Sequence, residues 1–150
     1  MALWLHSPDL AESVQEVGAY FRRQPAFPRS AVEMIILLTA RHWKCEYEWA
    51  AHEPVARTEG LDESIIESIR TGAKPAFSDP GFRALYEFTR SMLETHDASD
   101  NIVAELTERY GPRGVIDASI LIGHYVHGAI LIHAARLERP AGTQPPFEAR

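Results

Sequence analysis

Apolar positions along the chain recur at helical spacing, and no stretch alternates apolar and polar in the manner of a half-buried strand. Ser7 before Pro8 reads as an N-cap with proline at the first helical position, opening a helix that runs to about Arg23. Pro25 and Pro28 force a loop. Ser30 to His42 contains Met34-Ile35-Ile36-Leu37-Leu38, apolar on every side, which predicts a central, enclosed helix. A break near Trp43 and Lys44 leads into a helix from about Cys45 to Thr58, stopped by Gly60. Asp62 then caps a short helix with Ile65, Ile66 and Ile69 on one face, ending at Gly72.

After a loop from Ala73 to Ser78, Asp79-Pro80 restarts helix, with Phe82, Leu85, Tyr86, Phe88 and Leu93 as its apolar stripe. Ser99 caps a helix holding Ile102, Val103 and Leu106, which ends at Gly111. A long apolar helix from about Arg113 to Leu137 follows, and the Pro/Gly-rich segment from Pro140 reads as a mobile tail. About seven helices with short connections predict an all-α bundle in a single domain over residues 1–150.

Length agrees with one domain: a chain of 150 residues buries roughly 70% of its unfolded surface. With 15 basic against 21 acidic residues and net charge −6, nucleic acid and anionic membranes are excluded as expected partners. One cysteine excludes an intrachain disulfide and a multi-cysteine zinc site. Met1 to Leu10 lacks the apolar core of a secretory signal, and a cytoplasmic location is the expectation. Val115 to Leu137 is long enough to span a bilayer. It carries Asp117, Ser119, His124, His127 and His133, however, and reads instead as a helix buried in protein, partly by a neighbouring subunit.

Candidate chemistry gathers around Cys45. On a helix, Cys45, Glu48 and His52 fall within roughly 60° of one another, flanked by Trp49 and Ala56. Glu33 lies on the preceding helix and reaches the same face if the two pack antiparallel. A carboxyl in apolar surroundings and a histidine titrating near neutrality suit proton transfer, one donating as the other accepts. The N-terminal end of the helix favours a thiolate at Cys45, while a charged Glu48 opposes it. Tyr47 and Trp49 are candidates for contact with substrate as well as for packing. His124 and His127 are spaced for metal ligation but lack a third ligand, so no metal and no cofactor is expected.

The pattern Glu33, Cys45, Glu48, His52, with Ala56 and Gly60 after it, resembles the carboxymuconolactone decarboxylase and alkylhydroperoxidase D superfamily over Glu33 to about Gly72. Alkylhydroperoxidase D members carry a Cys-x-x-Cys pair, a histidine four residues later and an upstream glutamate. Here Glu48 stands in place of the second cysteine. The resemblance is therefore nearer to the decarboxylase branch. It implies an all-helical subunit assembled into trimers or hexamers, with Glu33, Cys45, Glu48 and His52 as the catalytic set acting on a small carboxylated, lactone-type substrate. The alternatives are a hydroperoxidase with Cys45 as its one reactive thiol, dependent on an external reductant, and an oligomeric binding protein without catalysis.

Overall fold

The computed structural model describes residues 6–147, and its regular elements are all helical. They are α1 (Pro8–Arg23), α2 (Arg29–His42), α3 (Glu46–Thr58), α4 (Glu63–Thr71), α5 (Pro80–Thr95) and α6 (Asp100–Ala134). Helix α2 is the axis of the bundle: every residue from Ala31 to Ala40 is buried, and α3, α4, α5 and α6 pack around it. Its all-round apolar character requires that position, since no face could meet water cheaply.

Local punctuation behaves as the sequence predicts at α4 and α5. The Asp62 side chain accepts from Ser64 N at 2.7 Å, and that of Asp79 accepts from Gly81 N at 2.6 Å. Ser7 and Ser99 occupy N-cap positions without a side-chain cap bond. Cys45 is not the first residue of α3 but its N-cap. The expected sixth and seventh helices run together as α6, so the described residues form six helices. The break is still present in the backbone, where Gly111 adopts φ 67°, ψ 178° ahead of Pro112.

Asp117, the carboxylate inside the apolar part of α6, is a clamp on α1. It is 5% exposed, accepts from Tyr20 Oη at 3.0 Å and from Ala26 N at 2.9 Å, and has Arg113 at 3.7 Å. Burial of this carboxyl group is tolerated because two donors and a neighbouring guanidinium answer it.

The segment beyond Pro140 departs from expectation. Through Phe147 it is docked on the body of the protein rather than loose. Phe147 is 7% exposed, edge-on to Trp49 at 5.2 Å and beneath the Arg41 guanidinium at 5.1 Å. Arg70 donates to Pro146 O, and Arg139 donates to Glu46 Oε2 at 2.5 Å and to Thr143 O. One aromatic anchor with a cation over its face outweighs the disorder that the composition predicts.

Helix α6 is only half enclosed. It is the one helix among the described residues long and apolar enough to cross a membrane by length and composition. Its inner face lies on α2 and α5, while Ile116, Ile120 and Ile130 on its outer face stand exposed.

Candidate functional site

The turn between α2 and α3 sets the geometry. Cys45 N donates to Ala40 O at 2.8 Å and Lys44 N donates to Arg41 O at 3.2 Å, a Schellman-type stop. Lys44 takes the left-handed position that glycine usually fills, with φ 51°. The chain folds back and α3 packs along α2, which carries His52, in the middle of α3, to Glu33, in the second turn of α2.

Glu33 is 1% exposed and held at both oxygens. Its Oε2 lies 2.8 Å from His52 Nδ1 and its Oε1 lies 3.2 Å from an Arg29 guanidinium nitrogen. Arg29 also donates to Phe21 O at 2.7 Å, which fixes the guanidinium in place. With Nδ1 engaged by a carboxylate, His52 keeps Nε2 for other partners. Its side chain is 24% exposed, so this pair has a route to solvent.

Cys45 and Glu48 form a second, drier pair. Cys45 is 1% exposed and Glu48 6%. Burial pushes the Glu48 carboxyl up to about 8, with the Cys45 thiol drawing it down only in part. Burial also pushes Cys45 up to about 12, against the lowering effect of the Glu48 and Tyr47 backbone amides. Desolvation therefore outweighs the helix N-terminus, and the sulfur is a thiol at neutral pH. Glu48 Oε2 has no hydrogen-bond partner, and Oε1 presses on the backbone of α6 at Gly128, where any Cβ would collide with it.

Helix α6 packs against both pairs, through Tyr125 at His52 and Gly128 at Glu48. Tyr125 sets its ring edge-on to His52, with centroids 5.0 Å apart. Its hydroxyl is pushed up, first by burial and then by the negative charge of Glu33 and of Glu48. It is thus close enough to both carboxyls to feel each. His124 stands beyond it, ring centroid 5.2 Å from Tyr125, with Nε2 facing Gly18 of α1. Burial lowers its pKa, and the charges of His127, Arg22 and His52 lower it further. Tyr125 and Gly128 were not recognised in the sequence. The signal available was a glycine inside an apolar helix, a mark of close backbone approach.

A cleft of about 430 Å³ opens beside Cys45, bordered by Lys44, Tyr47, Ile132, His133 and Arg139. Tyr47 lines this cleft together with Cys45. Trp49 lies on the tail side of α3, in the main core against Phe147, and borders a separate hollow with Pro54 and Arg70. Among the described residues no group of three His, Cys, Asp or Glu side chains is arranged to hold a metal ion.

No protein-family model matches the chain, and no curated protein matches it either. Among solved structures, the chain superposes with TM-score 0.80 on a crystal structure from Agrobacterium tumefaciens. That entity is a protein of unknown function, assigned provisionally to antioxidant defence as AhpD. The match covers 94% of this chain and 97% of that one. The fold is alkylhydroperoxidase D-like. At 17% identity the likeness carries the architecture alone, and any chemistry must be argued from this chain's own residues.

Proposed function

We propose that this chain is an acid–base enzyme of the carboxymuconolactone decarboxylase type, acting on a small carboxylated, lactone-type substrate. The observation that carries the reading is the buried Glu48 carboxyl, pushed up to about 8 and so uncharged at pH 7. A neutral acid with a free Oε2 is a proton donor waiting for an acceptor. In decarboxylation the carbon–carboxylate bond breaks, its electron pair stays on carbon, and Glu48 supplies the proton that this carbon takes. His52, partly exposed and oriented by Glu33, returns a proton from solvent. Tyr125 packs edge-on against His52 beside that path. Cys45 acts as a hydrogen-bond donor in its thiol form. Lys44 at the cleft mouth has no ion-pair partner among the described residues and suits a substrate carboxylate.

His52→Ala tests the assignment. It is expected to remove most turnover of lactone acids while leaving the helical circular-dichroism signal intact; an active variant rejects it.

A second reading is favoured by the description of the superposed structure as an antioxidant defence protein. In that scheme Cys45 thiolate attacks a hydroperoxide oxygen, the O–O bond breaks, an alcohol leaves, and an external thiol reduces the sulfenic acid. A thiol pushed up to about 12 weighs against it. Screening the purified protein against lactone acids and alkyl hydroperoxides in parallel separates the two.

A further inference from the structure

Where the C-terminal ends of α2 and α4 meet α5, a second cavity of about 280 Å³ opens, and it shares no lining residue with the cleft beside Cys45. Leu38, Ile69 and Leu93, all buried, supply its apolar lining, and Arg41, Tyr86 and Arg90 supply polar groups. Arg41 decides what the cavity suits. Its Nε donates to Arg70 O at 3.0 Å, and its guanidinium lies over the Phe147 ring. Gly72, in the left-handed position that ends α4, leaves room for Nη2, since a Cβ there would stand 3.2 Å from that nitrogen. These contacts fix the guanidinium but leave the hydrogens of Nη1 and Nη2 unused. No carboxylate among the described residues pairs with it.

Arg90 is in a different state. Glu94 matches its charge, with Nε donating to Oε1 at 2.8 Å. Nη1 of Arg90 donates to Tyr86 Oη at 3.2 Å, which leaves the Tyr86 O–H proton available to a further acceptor. Beside the His42 imidazole, the cavity therefore holds one unmatched positive charge, Arg41, in a chain of net charge −6. Two terminal N–H groups of a guanidinium form a fork that fits both oxygens of a carboxylate.

We propose that this cavity binds a small, singly charged carboxylate, its oxygens on the Nη1–Nη2 edge of Arg41 and a compact apolar body against Leu38, Ile69 and Leu93. A neutral ligand of the same shape leaves the guanidinium unanswered. A phosphate dianion brings a second charge that meets apolar walls and the Glu94 carboxylate instead of a cation. The volume is at the small end for a ligand site, which limits the body to something like a single ring or a short chain. The inference stands apart from the acid–base reading of the Glu33, Cys45, Glu48 and His52 site, because none of those residues borders this cavity.

Calorimetric titration of the full chain with sodium benzoate tests it, with benzyl alcohol and inorganic phosphate as comparison ligands. Benzoate is expected to saturate a single site with Kd on the order of 1 mM, and the other two to bind about tenfold more weakly or less. Ala73 lines the same cavity from the exposed loop after α4. Ala73→Glu offers Arg41 a tethered carboxylate of its own and should weaken benzoate by about tenfold or more, whereas Ala73→Gln, equal in size and uncharged, should keep the wild-type affinity. Arg41→Gln should also lose binding, but it gives up support beneath Phe147, so the Ala73 pair is the deciding comparison. Absence of saturable benzoate binding overturns the proposal. Equal affinity for benzyl alcohol or for phosphate does so too, as does benzoate binding unchanged by Ala73→Glu. Binding lost in Lys44→Gly but kept in Ala73→Glu places benzoate in the cleft beside Cys45 and equally overturns it.

Discussion

Glu48 Oε1 rests on the backbone of α6 at Gly128, so the carboxyl of one helix occupies the space that a side chain on another would fill. That seat holds Glu48 out of water, and its raised pKa follows from it. Gly128→Ala adds a methyl group where the carboxyl now lies. In an open helix the change would stabilise by about 1 kcal/mol. Here it is expected to destabilise by about 1–3 kcal/mol through overpacking, and to lower turnover as Glu48 is displaced. Thermal unfolding and initial rates on the same preparation check both.

The pH dependence of Glu48 has a definite sign. Its folded pKa, about 8, exceeds its ordinary value of 4.5, so between those values the folded state binds the proton more tightly than the unfolded one. The stabilising contribution is complete below about 4.5 and is lost as pH rises through about 8. Glu48→Gln, which never ionises, should match the wild type near pH 4.5 and exceed its stability near pH 9 by a few kcal/mol, about the size that such a shift implies. Denaturant titrations across that range measure it. Turnover of the wild type should fall above pH 8 as the acid is spent, and Glu48→Gln should be inactive throughout.

Cys45 should be a slow nucleophile. With the thiol pushed up to about 12, alkylation by iodoacetamide is expected to rise about tenfold per pH unit from pH 7 to 9, without a plateau. Cys45→Ser should retain most acid–base turnover, because a hydroxyl still donates. An alkylation plateau near neutrality would instead favour the hydroperoxidase reading.

Lys44 occupies a left-handed backbone position at some conformational cost. Lys44→Gly is expected to stabilise the protein by about 1 kcal/mol. If the ammonium group receives a substrate carboxylate, the same change raises KM several-fold and leaves kcat nearly unchanged. Lys44→Arg should restore KM. Tm with steady-state kinetics separates this from a purely local role at the end of α2.

Much of this protein was legible in the sequence because its signals are local. Asp62, Asp79, Gly60, Gly72 and the prolines act on their own few residues, so the helix ends they imply survive folding. The run Met34 to Leu38 required enclosure wherever it lay, and the helical repeat placed Glu48 and His52 on one side of α3 before any partner was known. Tertiary structure alone decided what those groups are. The protonation of Cys45 and Glu48 depends on desolvation by α6, whose Tyr125 and Gly128 lie far along the chain, and no local pattern measures that. Phe147 was placed the same way: a weakly patterned tail docks because Trp49 and Arg41 happen to offer it a surface. Spacing along a helix is set by covalent geometry, whereas burial is set by whatever packs on it from elsewhere.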